Sequence, residues 1–139
     1  MKEVETLEEF GAGLRVAMAA FDTPAQMAAE IETDLPARFA EHNEADSQTR
    51  DYIALVDGRV VGSASVVAAA AGVALFGGAV LPEARGRGVY RALLRARWDF
   101  AVARGTPALT VQAGRMSKPI LERLGFVQLS AARMFFDSL

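Results

Sequence analysis

The chain reads "AVLPEARGRGVYRALLRARWDFAVARG" from Ala79 to Gly105. An apolar run stops at Pro82, passes through Arg85-Gly86-Arg87-Gly88 and opens into an amphipathic helix expected over about residues 88–104. A surface turn needs one glycine. Two glycines and two arginines where a strand hands over to a helix are what an anion cradle needs. The first turn of a helix leaves backbone N–H groups unpaired and carries the positive end of the helix dipole. Glycines ahead of it let the backbone come close to an anion with its amides turned inward. Arg85, Arg87 and Arg91 stand at the rim of this cradle, and a diphosphate suits its shape. A plain Arg-Gly surface turn fits the same residues, and the loop alone leaves both readings open.

Outward from the loop, the chain divides into strands before it and a strand and helix after it. "YIALVDGRVVGSASVV" reads as two strands meeting at Asp57-Gly58, a strong hairpin signal, and a second turn at Ala71-Gly72 returns the chain through "VALFGGAVL". The expected meander covers residues 52–57, 59–69 and 73–81. Behind the helix come a short strand, "ALTVQA" at 108–113, and a helix near 117–124 capped by Gly125 in the left-handed conformation. "FVQL" and "ARMFF" carry strand character. At the other end, Thr6-Leu7-Glu8-Glu9 matches a capping box, followed by Leu7, Phe10, Leu14, Met18 and Phe21 on one helical face. Thr23-Pro24-Ala25-Gln26 repeats the signal for a second helix, which Pro36 is expected to stop or kink. A short first strand at "KEVE" completes an α+β domain spanning residues 1–139. Because the strands ahead of the loop form hairpins and the third glycine of G-x-G-x-x-G falls on Arg91, a dinucleotide-binding fold is excluded. No Gly-Lys-Ser/Thr occurs, so a Walker loop is excluded as well.

Composition narrows the chemistry. The chain has no cysteine and one histidine, His42, which removes disulfide scaffolds, thiolate metal sites, a Cys nucleophile and most zinc sites. No metal is expected, and His42 within "EHNEADSQ" reads as a solvated loop residue. Residues 1–51 hold twelve acids and four bases, whereas residues 52–139 hold eleven bases and five acids. Six arginines between 85 and 104 face Asp99 alone, which favours an anionic partner, a phosphorylated cofactor or nucleic acid. Nucleic acid fits poorly: Arg91 and Arg95 share a helix face, Arg97 and Arg104 point elsewhere, and Trp98 and Phe100 pack inward. Val60 to Leu81 is 22 residues without a charge, long enough to cross a bilayer, but Gly72, Gly77 and Gly78 punctuate it and a buried strand pair accounts for it. The first twenty residues are acidic and lack the apolar core of a leader, so a cytoplasmic protein is expected.

Three motifs in order resemble those of the GNAT (Gcn5-related N-acetyltransferase) superfamily. Its pyrophosphate loop, Gln/Arg-x-x-Gly-x-Gly/Ala, lands on Arg85-Gly86-Arg87-Gly88-Val89-Tyr90. The hairpin "ALVDGRVVGSASV" looks like the family's second and third strands, and "LTVQAGRMSKPILERLGF" like its fifth strand and fourth helix. The resemblance covers about Tyr52 to Phe126. It implies a central mixed, mostly antiparallel sheet flanked by about four helices. It also implies acetyl-CoA, or another acyl-CoA, as cosubstrate. The amides of Gly86, Arg87, Gly88, Val89 and Tyr90 would hold the diphosphate, with Arg85 and Arg91 beside them. The backbone of Ala79, Val80 and Leu81 would pair with the pantetheine arm. The strand would splay from its neighbour at a bulge, for which Gly77-Gly78 is the natural place. The implied reaction is direct attack of a primary amine of a small molecule or peptide on the thioester, with a backbone N–H near Ala79 or Val80 polarising the carbonyl.

The chain departs from that pattern at three positions. Tyr90 stands where the loop has its last glycine or alanine, and Gly114 where an Asn is frequent. Leu121 stands where the family's tyrosine protonates the departing thiolate. Ser117, one helical turn before Leu121 and on the same face, either substitutes for that hydroxyl or only caps its helix. Glu41, His42, Glu44 and Asp46 lie in the segment that lines the acceptor side in the family, and none is singled out as the base. The leading expectation is an active N-acetyltransferase forming a homodimer. The alternative is a catalytically silent CoA-binding or protein-interaction module, such as half of a tandem pair.

Overall fold

Residues 1–129 are described by the structure, a computed structural model, and "ARMFF" at 132–136 lies outside them. Local chemistry sets most of the elements. After a two-residue strand, β1 (Lys2–Glu3), the Thr6 hydroxyl accepts from the Glu9 amide at 3.2 Å while the Glu9 carboxylate accepts from the Thr6 amide at 3.3 Å. This reciprocal cap starts α1 (Leu7–Ala20). The strands β2 (Thr49–Val56) and β3 (Arg59–Ala68) meet at Asp57 and Gly58, whose φ angles of 52° and 78° are those of a type I′ turn. A second hairpin, closed by the Ala69 amide on the Gly72 carbonyl, leads to β4 (Val73–Val80). A single 3₁₀ turn (Pro82–Ala84) carries the chain into α3 (Val89–Ala103). The short strand β5 (Leu109–Val111) and α4 (Lys118–Arg123) follow. Gly125 ends α4 at φ 99°, with the Phe126 amide on the Leu121 carbonyl.

Among the described residues, five strands lie in the order β1-β2-β3-β4-β5; the first three pairings are antiparallel and β4–β5 is parallel. This is the mixed, mostly antiparallel sheet with four helices that the motifs imply. One face of the sheet receives α3, where Gly62 of β3 meets Val89 and Leu93. On the other, Gly13 of α1 meets Ile53 of β2. The α3 side is filled by Tyr52, Ala64, Val66, Leu93 and Ala101 within the larger core, and the opposite side by Val4, Phe10, Leu35 and Ile53.

Several expectations are corrected. The second helix, α2 (Ala25–His42), has Pro24 as its cap with no side-chain bond, so Thr23 does not cap it. Of the stop or kink expected at Pro36, the stop does not occur: the helix runs on to His42, because Leu35 and Phe39 pack on the Phe10 cluster either side of the proline and Arg15 holds Glu32 at 2.7 Å. His42 is therefore the last residue of a helix and not a loop histidine. The strand at 108–113 shortens to Leu109–Val111 because β4 turns away beyond Leu75. Finally, residues 126–129 form no regular strand, and β2 begins at Thr49, where pairing with Val67 extends it.

Candidate active site

Pairing across the sheet is irregular at two places among the described residues, at Ala54/Leu55 of β2 and, beside the cleft, between β3 and β4. Ser63 of β3 faces Ala79 and Ser65 faces Phe76, so β4 carries one extra residue at Gly77-Gly78. Gly77 takes φ 63°, a conformation that suits glycine at such a bulge. On the other edge of β4, pairing with β5 stops at Leu75–Val111, and the strand from Phe76 to Val80 diverges from β5. A cleft of about 880 Å³ opens there, with α3, the end of β5 and the start of α4 as its walls.

At one end of this cleft lies the glycine loop. Gly86 and Gly88 both adopt left-handed φ, 75° and 79°, and a Cβ at either would meet no protein atom within 4 Å. The first bond of the α3 ladder is Ala92 N–H to the Gly88 carbonyl at 3.0 Å. The amides of Val89, Tyr90 and Arg91 therefore precede that ladder at the positive end of the helix. Open space at two left-handed glycines and a helix start pointing into a cleft make a cradle that fits a diphosphate. Of the residues named from the sequence, Ala79, Val80, Arg85, Gly86, Gly88, Val89, Tyr90 and Arg91 line the cleft. Leu81 and Arg87 stand outside its lining; the Leu81 amide bonds to the Val61 carbonyl at 2.8 Å. Arg85 bends back, its Nε donating to the Val80 carbonyl at 3.2 Å.

Ser117 also lines the cleft. It occupies the cap position of α4, yet its hydroxyl makes no cap bond, so the structural role weighed for it from the sequence is not what that hydroxyl does. Leu121 is 2% exposed and belongs to the core. Gln112, at the end of β5, lines the cleft too and was not singled out; a polar residue directly after an apolar strand is the signal it left.

Two polar groups were invisible to local reading. Arg97 is 1% exposed under the bulge; its Nε donates to the Leu93 carbonyl at 3.2 Å and its Nη2 has no partner. Burial pushes its pKa down from the ordinary arginine value, opposed by the phenols of Tyr90 and Tyr52. Its signal was spacing: Leu93, Arg97 and Ala101 share one core-facing stripe. On the opposite face, Asp51 accepts from the Ser65 hydroxyl, and its other oxygen is 3.4 Å from His42 Nδ1. His42 packs between Phe10 and Phe39, while Glu41, Glu44 and Asp46 are exposed. Ser65 reaches the bulge, since a Cβ on Gly77 would lie 3.7 Å from its Oγ. Among the described residues no acidic, histidine or cysteine cluster could hold a metal ion, and no helix is long and apolar enough to cross a membrane.

Comparison with known proteins bears on this geometry. A sequence profile described as the acetyltransferase (GNAT) domain matches residues 20–137. No curated protein sequence matches. Among solved structures, an acetyltransferase of Trypanosoma brucei superposes with a TM-score of 0.71 at 21% identity, covering 98% of this chain and 96% of the other. A predicted acetyltransferase of Clostridium acetobutylicum, solved with acetyl-CoA, gives 0.74 at 13% identity over 97% and 94%. The aminoglycoside N-acetyltransferase AAC(6')-Iy, holding the bisubstrate analogue CoA-S-monomethyl-acetylneamine, gives 0.71 at 22% identity over 99% and 97%.

Proposed function

Because the chain belongs to the GNAT acetyltransferase family, we propose that it transfers an acyl group, acetyl in the simplest case, from acyl-CoA to a primary amine by direct attack. The observation that carries this reading is the coincidence on one strand edge of three features. These are the end of β4–β5 pairing at Leu75, the bulge at Gly77-Gly78 and the left-handed Gly86/Gly88 cradle. An acyl-CoA supplies an electrophilic thioester carbonyl and a thiolate leaving group. The amides of Gly86 to Tyr90 hold its diphosphate, and the unpaired edge of Ala79 and Val80 takes the pantetheine arm as an added strand. A backbone N–H at Ala79 or Val80 polarises the carbonyl oxygen, a donor fixed in advance of the reaction. Ser117, with its hydroxyl free of a cap bond, relays to the departing sulfur the proton that the attacking nitrogen loses as the amide forms, and ends the step protonated.

Acceptors are sought among small amines and peptides. Aminoglycosides belong in the first screen, given the similarity to AAC(6')-Iy. A homodimer is the proposed assembly, and sedimentation of the purified chain checks it. The test of the reading is calorimetric titration with acetyl-CoA of the natural chain and of Gly88→Trp, whose indole would occupy the cradle. Micromolar binding that the Trp variant loses supports it, and no binding to a folded sample sinks it. The burial of Leu121 favours a second reading, a CoA-binding module without turnover. Binding without acceptor-dependent thiol release across the amine screen would select it.

A further inference from the structure

Arg97 occupies a position where a cation is hard to keep. Its side chain is buried, its Nη2 has no hydrogen-bond partner, and among the described residues no ion pair includes it. The polar side chains facing it are the phenol of Tyr90, within hydrogen-bonding reach of the guanidinium, and that of Tyr52, and neither is a carboxylate. A buried donor left unmade and a buried charge left unpaired both weigh against folding, so their retention in a cleft wall points to a ligand.

Position within the cleft says which part of the ligand. Arg97 lies nine residues along α3 from Gly88, roughly 13 Å between their Cα atoms at about 1.5 Å per residue, and its side chain folds back only one turn, to the Leu93 carbonyl, short of the cradle. Its guanidinium lies against the bulge instead: a Cβ on Gly78 would stand 3.6 Å from Nη2 and 3.9 Å from Nη1. Gly78 lies three residues past Leu75, where β4 parts from β5, and toward the end of the cleft away from the glycine loop. Resting on the acyl-CoA reading above, we infer that the acyl chain of the donor ends in a carboxylate, as in malonyl- or succinyl-CoA, and that Arg97 pairs with it.

A neutral carbonyl would satisfy the orphan N–H but leave the charge uncompensated. A carboxylate does both, and its two oxygens match the planar fork of a guanidinium. The donor is favoured over the acceptor as its source because Arg97 comes from α3. The segment 41–46, read as lining the acceptor side, follows α2 on the opposite face of the sheet.

Calorimetry decides without an identified acceptor. The whole chain is titrated with CoA, acetyl-CoA, malonyl-CoA and succinyl-CoA, and the series is repeated on Arg97→Met. The expected result is binding of one dicarboxylic ester about tenfold or more tighter than acetyl-CoA, a preference that Arg97→Met abolishes while CoA affinity stays within about twofold. Acetyl-CoA binding as tightly as both dicarboxylic esters overturns the inference and leaves the acyl-CoA reading intact. Binding of none of the four overturns both. Arg97-dependent binding of free succinate or glycine to the CoA-saturated protein would move the carboxylate to the acceptor and overturn the assignment to the donor. Should Arg97→Met fail to fold, the four-ligand comparison on the natural chain still decides.

Discussion

Gly86 and Gly88 hold the cradle in a backbone conformation that other residues resist, with empty space where a side chain would go. The two effects separate cleanly. Replacing Gly88 with Ala adds left-handed strain of about 1–2 kcal/mol without a clash in the free protein, read as a lower urea midpoint. The larger Gly88→Trp loses acyl-CoA binding on top of that strain, so affinity and stability move by different amounts in the two variants. Tyr52 offers a test of the buried sheet face that Arg97 shares. Burial beneath α3 pushes its pKa from 10.0 up to about 12, more than the nearby arginines pull it down. Its protonated form is thus favoured by folding. That contribution is complete below pH 10, where the unfolded tyrosine is also protonated, and is lost as pH rises toward 12. Urea unfolding of Tyr52→Phe between pH 9 and 12 should show a flatter alkaline fall than the natural chain; identical slopes would remove Tyr52 from the account.

Elements follow local signals wherever the signal and the packing agree. The capping box at Thr6, the Asp57-Gly58 turn and the Gly125 cap all form as their residues dictate, and each is complete within a few residues of sequence. The second helix shows the limit. Pro36 lacks the N–H that would meet the Glu32 carbonyl, which locally argues for a stop. Leu35 and Phe39, held by Phe10, carry the helix past it. Pro36 itself is exposed, so Pro36→Ala removes no packing and restores the donor. The variant should gain roughly 1–3 kcal/mol, seen as a raised thermal midpoint. An unchanged or lowered midpoint would mean that the helix is bent to fit its neighbours and that the proline shapes the bend.

At the scale of the whole molecule, the half of the site made of backbone was legible and the half made of distant side chains was not. The cradle and the bulge are glycine patterns within Gly77 to Gly88, readable because a left-handed backbone selects glycine locally. His42, Asp51 and Ser65 come from α2, β2 and β3 and meet only when those elements pack, and Arg97 looks like a surface arginine until α3 is laid on the sheet. The same architecture makes the molecule uneven in stability. Eight facing residue pairs join β2 to β3, whereas three join β4 to β5, and the strand edge beyond them is what a pantetheine arm would complete. Sub-global opening should therefore begin on the β5–α4 side. In the free protein, amides of Leu109 to Val111 and of α4 should exchange with solvent faster than those of β2 and β3. Acetyl-CoA at a hundred times its Kd adds about 2.7 kcal/mol to global stability, and the protection it gives should concentrate on residues 76–80, 86–91 and 109–111. Protection confined to the outer faces of α1 and α2 would put the ligand elsewhere and separate the fold from the cleft chemistry. Protection at the cradle without any at β5 would show the diphosphate bound and the arm not docked.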